Sequence, residues 1–82
     1  MSHFYIISLD PAKLRDYSAL TVIRVQQEEK NVYQIVFLKR EQNLPYPQIV
    51  EWSKKVYLNP KWRDRTKQEP IFLLDAGGVG TA

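Results

Sequence analysis

Residues 4–11 read FYIISLDP: an almost unbroken apolar run that stops at Asp10 and Pro11. A short run of this kind, closed by a turn signal, reads as a strand buried on both faces. Pro11 has no backbone N–H and cannot extend a ladder. Residues 71–75, IFLLD, repeat the pattern: a second apolar run that ends in an aspartate. What lies between the two runs decides how their ends are related.

Residues 11–17, PAKLRDY, form a polar connection. From Ser18 to Gln27 the chain is rich in β-branched residues, with Ala19, Thr21, Ile23 and Val25 on one face and Leu20, Val22 and Arg24 on the other. Glu28 to Asn31 make a polar turn in which Asn31 suits a left-handed position. Val32 to Arg40 is again β-branched and aromatic, so the two strands read as an antiparallel hairpin. The period then changes. Tyr46, Ile49, Val50, Ser53, Val56 and Tyr57 recur at helical spacing behind Pro45 and Pro47, which a first helical turn tolerates. Asn59 and Pro60 stop the helix, and residues 61–69, KWRDRTKQE, form a charged loop.

The expected order is strands at about 4–10, 18–27 and 32–40, a helix at about 46–58 and a strand at about 71–75. The fold class is α/β: a three-stranded antiparallel meander, one crossover helix, and a fourth strand parallel to the first. A helical crossover is the ordinary way to join parallel strands. Asp10 and Asp75 then leave the sheet side by side at its carboxyl edge, where α/β proteins place ligands.

Two neighbouring carboxylates at the end of buried strands repel each other. A divalent cation relieves that repulsion, and Mg²⁺ and Mn²⁺ prefer oxygen ligands. Two such ions about 4 Å apart can activate a water and stabilise the leaving oxygen in phosphodiester cleavage. Asp10 and Asp75 are therefore the candidate metal ligands and catalytic acids, with Asp16 as an accessory acid. Each has a plainer reading: Asp10 as a turn former before Pro11, Asp75 as a helix N-cap or turn residue, and Asp16 as a loop residue pairing with Lys13 or Arg15. His3, the single histidine, precedes the first apolar run and argues against a histidine-based zinc site. The glycine segment GGVGT lacks the lysine of a phosphate-binding P-loop, because Gly80 is followed directly by Thr81.

With 82 residues the chain holds one domain. It has no cysteine, which excludes a disulfide framework. No stretch approaches the ~20 apolar residues of a membrane-spanning helix, and a cytoplasmic protein is expected. The net charge of +3 comes from one segment, where Lys54, Lys55, Lys61, Arg63, Arg65 and Lys67 outweigh Asp64 and Glu69. These six basic residues are candidate DNA contacts, although a solvated helix end and loop would carry the same charge. Trp52 is expected in the core and Trp62 in loop packing, with base stacking the sharper alternative for both.

The segments SLDPAKLRDYSALTVIRV (residues 8–25) and FLLDAGGVGTA (residues 72–82) resemble the nuclease domain of viral terminase large subunits, a ribonuclease-H-like family. In that family a strand ends in a metal-binding Asp, and a segment like Asp16-Tyr17-Ser18-Ala19 opens the second strand. The fourth strand ends in an acid followed by a turn like Gly78-Val79-Gly80. The resemblance implies a two-metal endonuclease, with Mg²⁺ or Mn²⁺, that cuts double-stranded DNA during phage packaging in the bacterial cytoplasm. Asp10 would bridge the metals and Asp75 would hold one; the basic stretch inherits no role. It further implies that the chain corresponds to the front half of the domain, without the third acid and without the adjoining ATPase motor. Activity of the chain alone is left open. A homo-oligomer is expected to cover the truncated sheet, with other packaging proteins as further candidate partners. Two alternatives stand beside this reading: a non-catalytic, prophage-encoded module that oligomerises or binds a partner, and another ribonuclease-H-like nuclease or ATPase.

Overall fold

The computed structural model describes residues 2–11, 17–63 and 68–74. Four strands and one helix appear in the expected order: β1 (Ser2–Asp10), β2 (Tyr17–Gln27), β3 (Val32–Gln42), α1 (Tyr46–Tyr57) and β4 (Ile71–Leu74). They form a four-stranded mixed sheet with spatial order β3-β2-β1-β4. The β1–β2 and β2–β3 pairs are antiparallel, and β4 lies parallel to β1. The chain is thus an α/β fold with the expected meander and crossover. β1 begins earlier than expected, β3 runs on to Gln42, and α1 ends at Tyr57.

The register β1–β2 runs from Ser2↔Gln27 to Asp10↔Ala19 without interruption. Side chains alternate between faces along each strand, so Tyr5, Ile7 and Leu9 share one face with Leu20 and Val22. This face carries the core: Ile7, Leu9, Leu20, Val22, Ile49 and Trp62 form one buried cluster. Ile49 and Ser53, one helical turn apart, are the buried residues of α1, and the Ser53 hydroxyl donates to the Ile49 carbonyl at 2.8 Å. The α1 N-terminus needs little capping help. Pro47 lies in its first turn, and the Pro45 carbonyl accepts from the N–H groups of Gln48 and Ile49.

Three local expectations are corrected. β1 and β4 are not buried on both faces. Along β1, Ile7 and Leu9 are buried, Phe4 to Ile6 and Ser8 are half-buried, and Asp10 is exposed. All of β4 is exposed, from 39% at Phe72 to 58% at Leu74. Among the described residues only one face of the sheet is covered, and β4 lies at its edge.

Trp62 is not a loop-packing residue. A 3₁₀ turn, Pro60–Trp62, interrupts the expected loop. Asn59 caps this turn by accepting from the Lys61 N–H at 2.9 Å. Trp62 is thereby placed in the core at 3% exposure, 5.3 Å from the Tyr5 ring and 6.3 Å from Phe37. Trp52 is only half-buried at the margin of that cluster.

Asn31 is not in the left-handed region. The described non-glycine residue with positive φ is Asn43, at 60°, between β3 and α1. The hairpin reversal is spread over Gln27 to Asn31, between the last paired residues Gln26 and Val32. A reversal this wide does not force a left-handed residue, whereas the tight exit from β3 into Pro45 does.

The β2–β3 register shifts once. Val22 pairs with Phe37 and Ile23 with Ile35, which leaves Val36 as the extra residue of a β-bulge. Val36 and Phe37 both pack against the core. Tyr33 and Ile35 before the bulge, and Leu38 and Arg40 after it, consequently share the opposite face.

Candidate functional site

That opposite face is apolar and open. Its register brings together Phe4 and Ile6 of β1, Ile23 and Val25 of β2, Tyr33, Ile35 and Leu38 of β3, and Ile71 and Leu73 of β4. Val25 is fully buried between its partners Phe4 and Tyr33. Tyr33, Ile35 and Leu38 are each more than half exposed.

Asp10 stands on this face, at the carboxyl edge of the sheet. It is the last residue of β1 and is exposed. β1 and β4 remain in parallel register up to Leu9↔Leu74, one residue short of Asp10 and Asp75. Asp75 and Asp16 lie outside the described residues. Among the described residues no three His, Cys, Asp or Glu side chains form a metal-holding group, and Asp10 is the one described member of the expected pair. An exposed strand-end carboxylate is a suitable oxygen ligand for Mg²⁺ or Mn²⁺, since Mg²⁺ keeps several waters and needs only one or two carboxylates.

Across the sheet from Asp10, the register reads Asp10↔Ala19↔Arg40. The small Ala19 separates the carboxylate from the guanidinium. Two strand spacings put their backbones roughly 10 Å apart. The Arg40 guanidinium lies 4.7 Å from the centre of the Tyr17 ring. Tyr17 shares the face of Ala19 by alternation, so Asp10, Tyr17 and Arg40 form one polar margin to the apolar face. Sequence reading did not single out Tyr17 or Arg40, because strict alternation along β3 does not reveal the bulge that sets Arg40 on the face of Asp10.

The four described basic candidates, Lys54, Lys55, Lys61 and Arg63, do not converge on Asp10. Lys54 and Lys55 are exposed in the last turn of α1, where cations favour the helix dipole. α1 packs on the sheet face opposite to Asp10. Lys61 lies over the Trp62 ring at 5.5 Å. Arg63 is engaged within the fold. It donates to Glu69 Oε2 through Nε and Nη2 at 3.1 and 2.9 Å, donates through Nη1 to the Tyr57 carbonyl, and lies over the Tyr57 ring. Arg63 thereby ties the end of α1 to the segment that leads into β4. Arg65 and Lys67 lie outside the described residues.

On the helix side, Leu9, Pro11, Tyr46, Val50, Phe72 and Leu74 line an open apolar groove of about 540 Å³ between α1 and β4. A second groove, of about 450 Å³, has a mixed-charge lining that includes Lys39, Glu41, Glu51, Trp52 and Lys55. The Lys39 ammonium lies 5.7 Å from the Trp52 ring, on the face away from Asp10.

No protein-family model, curated protein or solved structure matches this chain. No described helix is long and apolar enough to cross a membrane.

Proposed function

We propose that this chain is the front half of a ribonuclease-H-like nuclease domain of the viral terminase type. In this reading Asp10 and Asp75 hold Mg²⁺ or Mn²⁺ for the hydrolysis of double-stranded DNA, with Asp16 as an accessory acid. The observation that carries the proposal is the parallel register Leu9↔Leu74. It brings the two strands to one edge of the sheet one residue before each aspartate. The strand order β3-β2-β1-β4, with β4 alone parallel to β1, supports the same reading. A bound divalent ion would supply charge stabilisation and an activated water there. The chain's own contribution is the position of the carboxylates.

One observation favours a second reading, a non-catalytic assembly module: the open apolar face that includes Tyr33, Ile35, Leu38 and Leu73. An apolar sheet face of this extent is a surface that proteins normally cover. The two readings share that surface and differ in the carboxylates. Calorimetric titration of the whole chain with Mn²⁺ separates them. Binding that is lost in both Asp10→Asn and Asp75→Asn supports the nuclease reading. A folded wild type that binds no Mn²⁺ overturns it in favour of the assembly module.

A further inference from the structure

The polar margin beside Asp10 contains a group that the metal chemistry does not use. We infer that Arg40, held over the Tyr17 ring, is a DNA phosphate-binding residue that holds the backbone next to the phosphate addressed by Asp10. The inference rests on the nuclease reading for its ligand, and on four independent features of Arg40 for its residue.

The first feature is placement. The register Asp10↔Ala19↔Arg40 puts the cation and the carboxylate in one row across three strands. Both lie on one face, with a side chain no larger than a methyl group between them. A polyanion lying along this row meets no steric wall at Ala19. A cation roughly 10 Å from the carboxylate is far enough to leave Asp10 free for a metal. It is also close enough to reach a neighbouring phosphate of the same strand.

The second feature is orientation. The guanidinium carbon of Arg40 lies over the Tyr17 ring, 4.7 Å from its centre. A cation–ring contact of this kind holds the group in place without using a hydrogen-bond acceptor, so its N–H donors stay available. Those donors form the planar fork that matches phosphate oxygens.

The third is that no described carboxylate competes for Arg40. Among the described residues the ion pair is Arg63 with Glu69, and none of their carboxylates pairs with Arg40. Glu41, its neighbour in sequence, points to the other face and lines the groove beside Trp52.

The fourth is the contrast with other cations. Lys39 is held over Trp52 on the far face, and Arg63 is committed to Glu69 and Tyr57. Arg40 is the described cation whose row in the sheet ends at Asp10.

The test uses the whole chain and a fluorescein-labelled DNA duplex. Anisotropy is measured over a series of salt concentrations in the presence of EDTA, so that no divalent ion contributes. One phosphate contact adds about 0.9 to the slope of log affinity against log salt. Arg40→Ala is expected to weaken binding about three- to tenfold at low salt and to reduce the slope by about 1. Arg40→Lys should keep most of the slope, because the charge remains, while losing affinity with the planar fork. Tyr17→Ala should weaken binding with a smaller change in slope, and Tyr17→Phe should match the wild type. Lys30→Ala makes the same change in net charge in the exposed turn at the opposite end of the sheet and should leave the slope unchanged.

The inference is overturned if Arg40→Ala behaves like Lys30→Ala. It is also overturned if the wild type shows no salt-dependent affinity for the duplex. Failure of the metal reading looks different: the Mn²⁺ titration is flat while the Arg40-dependent slope persists. A positive Mn²⁺ titration with no effect of Arg40 removes this inference and leaves the metal site standing.

Discussion

Leu9 of β1 and Leu74 of β4 are the last described partners of the parallel ladder, and an aspartate follows each of them in the chain. The register thus brings β1 and β4 side by side one residue before each aspartate in the chain. A cation shared between the two aspartates would bind the folded state and not the unfolded chain, so it must also stabilise the fold. At a Mn²⁺ concentration 100-fold above Kd the gain is about 2.7 kcal/mol. Differential scanning calorimetry should therefore show a rise in Tm of several degrees on addition of Mn²⁺. Asp10→Asn should abolish most of that rise while changing the Tm of the metal-free protein little, because Asp10 is exposed. An equal Mn²⁺-induced rise in wild type and Asp10→Asn would place the ion elsewhere.

The second prediction concerns the core. Trp62 reaches it from a 3₁₀ turn rather than from a strand or α1, and contacts Tyr5 and Phe37. Removing a large buried aromatic typically costs about 3–5 kcal/mol, a large part of the stability expected of a domain this small. Trp62→Ala should leave the chain largely unfolded at room temperature, as read by urea denaturation. Trp62→Phe should cost far less. It keeps most of the ring contact and removes an indole N–H that finds no acceptor among the described residues. A Trp62→Ala variant with an unchanged urea midpoint would mean that Trp62 does not belong to the core.

The topology was legible because it follows from order and period alone. Two apolar runs that each stop at an aspartate, a β-branched hairpin and one helix between them leave few ways to connect. Burial was less legible. The apolar residues of β4 read as interior, but hydropathy does not tell a strand that is covered from one whose cover lies elsewhere. The positions of Trp62 and Arg40 were hidden for a different reason. Each depends on a local irregularity, the turn capped by Asn59 and the bulge at Val36, and periodic patterns carry no mark of one inserted residue. The pairing of Asp10 with Asp75 was an expectation drawn from the topology alone, since neither aspartate by itself distinguishes a ligand from a turn residue, and Asp75 lies outside the described residues.

The open face bears on assembly. Three strands some 30 Å long and about 4.8 Å apart, with the four residues of β4 beside them, give a footprint of about 500 Å². That is below the ~800 Å² per partner of a standard interface and fits a small, weak pairing. The centre of the face carries Phe4, Ile6, Ile23, Tyr33, Ile35 and Leu38 without a charge, as interface centres tend to. A second copy meeting it face to face would bury the same residues on both sides. Sedimentation velocity at micromolar concentration should show a dimer. Ile35→Lys, at a site 63% exposed, should shift the population to monomer with little loss of secondary structure. A monomeric wild type would sink the proposed pairing of copies.

The bulge at Val36 allows a sharper test of the row from Asp10 to Arg40. Val36 is the residue without a partner on β2, and the registers on either side of it, Ile23↔Ile35 and Val22↔Phe37, are regular. Deleting Val36 would join two registers that already agree, so Arg40 should remain opposite Ala19 and on the face of Asp10. The cost should be on the order of 1 kcal/mol, for the loss of one half-buried side chain. Deleting Leu38 instead would shift Lys39 and the residues after it by one position and turn Arg40 toward the helix side. The Val36 deletion should therefore keep the salt slope of the wild type for duplex DNA, whereas the Leu38 deletion should lower it as Arg40→Ala does. Circular dichroism on both variants would establish that each still folds. If the Val36 deletion lost the slope and the Leu38 deletion kept it, the bulge would not be what sets Arg40 beside Asp10. The face of β3 on which Arg40 stands would then have to be reassigned.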